Sequence, residues 1–212
     1  MNVLFLGPQG SGKGTQAQKL SKKLEFVYFE AGDFLRNLAK TDERINETIN
    51  NKGRLMPDQE MFDYIAGFLQ ERNVYEGIVF DGFPRSVTQY ELLKKLLGEK
   101  NSKIDLAIYL DISEGETIRR LSARRICSRC GTIWNLITNP PPKEACSCGG
   151  SLEQRPDDTP EAIKERLNLY HSITQPLVEL MVKEKILRKI DGERPIEVIF
   201  NEILEIVRAY GK

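Results

Sequence analysis

The sequence predicts an α/β protein built on a doubly wound parallel sheet of five strands. Three observations carry that expectation. Five short apolar runs recur along the chain, helical patterns separate them, and a glycine-rich loop joins the first run to the first helical pattern. The 212 residues are enough to bury a sizeable core in one compact unit that carries inserted lobes.

The runs are VLFLG at 3–7, FVYF at 26–29, GIVFDG at 77–82, DLAIYLDI at 105–112 and KILRKIDG at 185–192. Each is continuous rather than alternating, the pattern of strands covered on both faces. Helical patterns span Lys13 to Leu24, Asp58 to Glu71, Val87 to Leu97, Glu114 to Ala123, and Pro160 to about Lys183. Such alternation implies right-handed crossovers between parallel strands. Two segments break the rhythm. Residues 31–59 read as short polar helices with no strand. Residues 125–158 hold all four cysteines, the only tryptophan (Trp134) and the run Pro140, Pro141, Pro142, and read as an independent β-rich insert. The core then comprises 1–30, 60–124 and 159–212, with lobes at 31–59 and 125–158.

Lys and Arg number 31, as do Asp and Glu, which excludes the broad basic field of nucleic-acid binders and makes any polyanion site local. The opening MNVLFLG lacks a basic n-region, and no apolar run approaches the ~20 residues of a membrane helix. A soluble, cytoplasmic protein with neither membrane nor nucleic-acid partners is expected.

Gly7-Pro8-Gln9-Gly10-Ser11-Gly12-Lys13-Gly14-Thr15 follows an apolar strand and opens a helix, the context in which backbone N–H groups cradle phosphates and a lysine supplies a mobile charge. The general pattern has Ser or Thr directly after the lysine; here Gly14 intervenes before Thr15. A glycine-rich turn with a solvated lysine is the competing reading, and the flanking strand and helix weigh against it. At the end of GIVFDG, Asp81 stands where a carboxylate can hold Mg2+ or its waters beside a phosphate loop, although strand-ending aspartates also serve as turn or cap residues.

Cys127-x2-Cys130-Gly and Cys146-x-Cys148-Gly give C-x2-C-x15-C-x-C, close to a four-cysteine zinc ribbon, with the second pair one residue short. Four thiolates leave no open position, so a bound Zn2+ would be structural. Reduced thiols and a disulfide are the alternatives.

Taken in order, these motifs resemble those of adenylate kinases over nearly the whole chain. GPQGSGKGTQ is similar to the family's phosphate loop, and AGDFLR (31–36) and GRLMPD (53–58) to its monophosphate lobe. FDGFPR (80–85) with Gln89 matches its most specific signature, and IRRLSARR (118–125), QRPDD (154–158) and KERL (164–167) its lid and hinges. The resemblance implies a P-loop core transferring a phosphoryl group between ATP and AMP to give ADP, with Mg2+ on the ATP, a Zn2+-bearing lid and a monomeric state. It places ATP on Gly10, Ser11, Gly12, Lys13, Gly14 and Thr15 with Arg120 and Arg124, and gives Asp81 the Mg2+ water. Arg36 and Arg85 would hold the AMP phosphate, beside Ala31, Gly32, Met56, Gly82 and Gln89. Arg155 and Arg166 would close on the transferring phosphoryl. Planar, permanently charged guanidinium groups suit a reaction whose catalysis is alignment and charge neutralisation.

Ala31 departs from the hydroxyl residue of bacterial adenylate kinases and is similar to uridylate/cytidylate kinases, whose lid is usually short. AMP is the expected acceptor, with UMP or CMP the alternative; a zinc-ribbon nucleic-acid switch driven by ATP is the remote one. His171 reads as a helix-surface or packing residue with no chemistry, Tyr28, Phe29, Phe80 and Phe83 as core or pocket walls, Trp134 as packing in the insert, and 179–184 as a solvated helix face.

Overall fold

The computed structural model describes residues 1–51, 55–143 and 145–210; Gly53 and Arg54 of the expected GRLMPD motif lie outside the described residues. In chain order the elements are β1 (Asn2–Leu6), α1 (Lys13–Leu24), β2 (Val27–Glu30), α2 (Ala31–Leu38), α3 (Glu43–Asn46), α4 (Asp58–Arg72), β3 (Ile78–Asp81), α5 (Val87–Glu99), β4 (Leu106–Asp111) and α6 (Glu114–Ser122). There follow β5 (Arg124–Cys127), β6 (Ile133–Asn135), β7 (Leu152–Glu153), α7 (Pro160–Leu169), α8 (Gln175–Lys183), β8 (Leu187–Asp191) and α9 (Ile196–Tyr210).

The expected five-stranded sheet is present, in the order β2-β3-β1-β4-β8, and all its pairings are parallel. Central β1 runs beside β3 from Asn2 opposite Ile78 to Phe5 opposite Asp81, and beside β4 from Val3 opposite Leu106 to Leu6 opposite Tyr109. Alternate residues feed two cores. Leu4, Leu6, Ile78, Phe80 and Ala107 pack with residues of α4, α5 and α8, while Val3, Phe5, Val79, Leu106, Ile108 and Leu110 pack with residues of α1 and α9. Each fully buried aliphatic side chain is worth about 1.5–3 kcal/mol, so both faces must be apolar and the strands read as unbroken hydrophobic runs.

Two features were not anticipated. The helical pattern from Pro160 to Lys183 divides into α7 and α8 around a π-helical turn, Tyr170–Thr174. Pro176, in the first turn of α8, has no N–H to return to the preceding turn, which breaks the regular hydrogen-bond ladder there. Helix α9 was not foreseen at all, although its buried Ile199, Ile203, Leu204 and Val207 fall at helical spacing and cover one face of the sheet.

Residues 31–59 contain α2, α3 and a π-helical turn, Glu47–Asn51, with no strand among the described residues. Phe34, Leu35, Ile45 and Met56 join the core cluster beneath α4, so this segment leans on the sheet's own core. The insert forms a separate antiparallel sheet, β6-β5-β7. Among the described residues no helix is long and apolar enough to cross a membrane.

Candidate active site at the carboxyl ends of the strands

The loop between β1 and α1 turns on glycines. Gly7, Gly10 and Gly12 have φ of 142°, 82° and 88°, which L side chains rarely adopt, and a Cβ on Gly7 would lie 2.5 Å from the Leu110 carbonyl oxygen. Gly12 caps α1, so the N–H groups of its first turn open into the loop. Lys13 folds back, its Nζ donating to the Pro8 carbonyl at 3.2 Å. Burial lowers its pKa to about 8, with Asp81 opposing and Arg85, Arg166 and Arg124 reinforcing the shift. These four side chains thus share one electrostatic site with the loop lysine. Ser11 Oγ is buried without a hydrogen-bond partner among the described residues, and Thr15 is exposed at the start of α1. The departure at Gly14 has a steric reason: a Cβ there would stand 3.1 Å from Asp81 Oδ2.

Asp81, at the end of β3, is 4% exposed and accepts from the Tyr28 hydroxyl at 3.1 Å through Oδ2, while Oδ1 is buried with no partner among the described residues. Burial raises its pKa and Lys13 opposes that shift. An unused carboxylate oxygen beside a phosphate loop is the donor a Mg2+ ion or its water takes, so the residues present fit that ion. Tyr28 is therefore a partner of the site carboxylate as well as a core wall, whereas Phe29, Phe80 and Phe83 are buried as expected.

Across the sheet's end, Arg85 Nε donates to the Gly82 carbonyl at 2.8 Å and its backbone N–H to Gln89 Oε1 at 2.7 Å. Gln89 Nε2 donates to Asp58 Oδ1 and the Ser86 hydroxyl to Asp58 Oδ2, both at 2.8 Å. Gln89 thereby ties the arginine turn to α4. Arg36 Nε donates to Asp33 Oδ1 at 3.2 Å and its Nη2 to Glu30 Oε2 at 3.3 Å. Ala31 and Met56 are buried in the adjoining core, and a Cβ on Gly82 would stand 3.6 Å from that of Ala31.

The insert side supplies the remaining arginines. Arg124 grips Asp158 with Nε to Oδ2 at 2.7 Å and Nη2 to Oδ1 at 2.5 Å. Arg166 Nη1 reaches the same Oδ1 at 3.2 Å and Asp157 Oδ2 at 3.1 Å, and Arg155 Nε donates to Asp157 Oδ1 at 2.9 Å. Burial lowers Arg166 to about 10 despite Asp157. Arg120 Nε donates to Glu116 Oε1 at 2.5 Å, and its Nη1 contacts the Gly10 carbonyl oxygen at 3.4 Å. Of the six arginines singled out from the sequence, Arg36, Arg120, Arg124, Arg155 and Arg166 are held by carboxylates and Arg85 by the Gly82 carbonyl. The acids that hold them, Glu30, Asp157, Asp158 and Glu116, were missed. Glu116 sits four residues before Arg120, a spacing that does signal a helical ion pair.

In the insert the four sulfurs of Cys127, Cys130, Cys146 and Cys148 all lie within 4.8 Å of one another. Two turns bring them there: Gly131 N–H donates to the Cys127 carbonyl at 3.0 Å and Gly149 N–H to that of Cys146 at 2.8 Å, with positive φ at both glycines. The short C-x-C pair closes because Gly150 has no side chain; a Cβ there would stand 2.5 Å from Cys127 Sγ. Four thiols at this separation could hold one tetrahedral ion. Trp134 is partly buried in the insert, its Nε1 without a hydrogen-bond partner among the described residues. His171 is exposed on Glu114 at 3.0 Å. Glu184 is not simply solvated, since it accepts from Lys94 at 2.7 Å and from Tyr90.

A family model described as "Adenylate kinase" matches residues 5–186. Curated relatives named "Adenylate kinase" include one from Methanocella arvoryzae, 41% identical over 98% of this chain and 99% of its own length. One from Archaeoglobus fulgidus is 38% identical over 98% of both chains. One from Lachnospira eligens is 36% identical over 98% of this chain and all of its own length.

Proposed function

This chain belongs to the adenylate kinase family, and from that premise we propose how its side chains carry out reversible phosphoryl transfer, ATP + AMP giving two ADP. The protein is a nucleoside monophosphate kinase, and the uridylate/cytidylate alternative is not favoured, since the matched relatives bear the adenylate kinase name. The observation that carries the assignment of roles is the gathering of Lys13, Asp81, Arg85, Arg124 and Arg166 into one electrostatic site at the phosphate loop.

In this reading the N–H groups of Gly10 to Thr15 wrap the ATP phosphates, and Lys13 turns from the Pro8 carbonyl to the outer phosphates. Arg120 and Arg124 hold ATP from the hinge. Arg36 and Arg85 grip the AMP phosphate, with Ala31, Gly32, Met56, Gly82 and Gln89 shaping the pocket beside it. Arg155 and Arg166 leave Asp157 and Asp158 in part to meet the charge spread over the moving phosphoryl group. Asp81 would hold Mg2+ or its water through Oδ1, and the ion when bound neutralises charge on the ATP phosphates. Residues 31–59 and 125–158 act as the monophosphate lobe and the lid, and closure excludes water, the competing acceptor. The cysteine cluster carries structural Zn2+. Clustered reduced thiols suit a cytoplasmic protein; as a monomer the chain would hold every residue of the site itself.

The test is incubation of the pure protein with ATP, Mg2+ and each nucleoside monophosphate while diphosphates are followed. AMP is expected to be the preferred acceptor by about 100-fold or more. Equal turnover of UMP or CMP would overturn the base assignment, and no diphosphate from any acceptor would overturn the mechanism.

A further inference from the structure

Asp58 opens α4 at the end of the GRLMPD segment, and neither that motif nor the mechanism gives it a task. Both of its carboxylate oxygens are engaged with the start of α5. Oδ1 accepts from Gln89 Nε2 and Oδ2 from the Ser86 hydroxyl, each at 2.8 Å. The Ser86 oxygen in turn accepts from the Gln89 backbone N–H at 3.1 Å and so caps α5. At the other end of the Gln89 amide, Oε1 accepts from the Arg85 N–H at 2.7 Å. Gln89 is 3% exposed and Ser86 8%, so little water competes for these bonds.

The oxygen and nitrogen ends of a glutamine amide are close to interchangeable in shape, and only the partners decide which way round they lie. Here the partners allow one way. A carboxylate only accepts and a backbone N–H only donates, so the nitrogen must face Asp58 and the oxygen must face Arg85. Each partner takes half of what its end of the amide offers, leaving one N–H and one lone pair in a fixed order among the described residues. Bases differ in the order they present. Adenine sets a ring nitrogen that accepts beside an amino group that donates; hypoxanthine, the same purine with a keto group, sets a ring N–H that donates beside an oxygen that accepts. We propose that Asp58 is a specificity-determining positioning residue: it holds the Gln89 amide in the order that suits an amino base and opposes a keto base. The inference rests on the reading of Gln89 as part of the acceptor pocket. With the acceptor's phosphate held by Arg36 and Arg85 in that reading, the base cannot turn over to match a reversed amide. A keto base then leaves donor facing donor and acceptor facing acceptor, and unpaired polar groups in a closed site discriminate strongly.

The test measures kcat/KM for AMP and for inosine 5′-monophosphate with ATP and Mg2+, because the ratio of the two does not depend on how much of a variant is folded. Wild type is expected to favour AMP by at least about 100-fold. Asp58→Ala removes the fixed acceptor while the Arg85 N–H remains, so the ratio should fall about tenfold with the KM for ATP unmoved. Asp58→Asn returns an oxygen to Gln89 Nε2 and should bring the ratio back to within about threefold of wild type. Asp58→Leu stands in for the alanine variant if that chain does not fold. In a Gln89→Ala background the same Asp58 substitution should leave the ratio unchanged, since Asp58 acts through that amide. A carboxylate that only supports the fold would lower both acceptors alike. An unchanged ratio in Asp58→Ala, an asparagine variant no better than the alanine one, or a further fall in the Gln89→Ala background overturns the proposal. Gln89→Ala by itself separates the two readings: if it keeps the wild-type ratio, Gln89 does not read the base and the pocket is misassigned, whereas a ratio lost there but kept in Asp58→Ala sinks only the role of Asp58.

Discussion

In the five-stranded sheet Val3, Leu4, Ile78 and Val79 are 0% exposed, whereas in the cysteine insert Ile133, Leu136 and Ile137 are 51%, 47% and 49% exposed. The sheet is sandwiched between two apolar clusters; the insert has strands of four, three and two residues and contributes to neither cluster. A unit this small buries little apolar area of its own, and four sulfurs converge in it. The difference teaches how one chain can combine a deeply packed phosphate-loop floor with an insert held on other terms. Apolar burial fixes the floor of the site, while the insert gathers four cysteines and meets the floor through Arg166, which pairs with Asp157 and Asp158, and through Asn135, which donates to the Arg120 carbonyl.

That division can be broken at its strongest point first. Lys13→Met is expected to lower turnover by at least about 1,000-fold, because it removes the cation nearest the transferring phosphates. Neither region should unfold, since Lys13 contributes one carbonyl hydrogen bond to the fold. A steady-state assay with circular dichroism checks both halves, and substantial activity would remove Lys13 from the site. Arg85→Ala should lose activity by a similar order for the same reason.

Metal removal addresses the other region. Elemental analysis of protein purified without added metal should find about one zinc per chain, and chelation should uncouple the insert from the core. Trp134, the only tryptophan, lies in β6 of the insert and so reports the insert alone. Its fluorescence should change on chelation and again in Cys127→Ser, while the sheet's far-ultraviolet signal persists and activity drops about tenfold or more. Metal-free protein whose melting is unmoved by chelator would show that the sulfurs do not organise the insert.

The junction between the regions gives a smaller effect. Asp158 is 1% exposed and pairs with both Arg124 and Arg166. Asp158→Asn leaves two guanidinium groups short of a counter-charge, a loss of about 3 kcal/mol for a buried pair broken on one side. Denaturant unfolding measures it; a change under about 0.5 kcal/mol would mean that the arginines are held by something else.

How much of this was legible follows the same division. The strands could be read because double-sided burial writes itself as unbroken apolar runs, and the cysteine cluster because thiol spacing is chemically specific. Helix α9 was equally legible from its apolar spacing and was passed over. The arginines could be placed only through their motifs, since a lone arginine in a sequence looks like a solvated charge. Their acidic partners could not be assigned from the sequence: Asp157 and Asp158 lie within the QRPDD motif without a role of their own, and Glu30 reads as the edge of a strand until the fold sets it against Arg36. The break at Tyr170–Thr174 has its signal in Pro176, which ordinary helical periodicity does not register.

Glu116 is where the smallest effect should appear, and it bears on whether floor and insert are linked through α6. Its carboxylate accepts from Arg119 and Arg120, and Arg120 in turn touches the Gly10 carbonyl of the phosphate loop while its own carbonyl accepts from Asn135 of β6. The Arg119 hydrogen bond, then that of Arg120, hold Glu116 down to about 2. A carboxylate depressed in the folded state adds stability that is fully present above its unfolded value of about 4.3 and is lost as pH falls towards about 2. With Arg119 half exposed to screening solvent, the contribution is about 1 kcal/mol. Glu116→Gln should therefore destabilise the protein by that amount at neutral pH and bring its stability level with wild type near about pH 2. If α6 links the two regions, the Trp134 signal of the variant should shift along with its global unfolding; a variant that loses stability with the Trp134 signal unchanged would confine the pair to the floor.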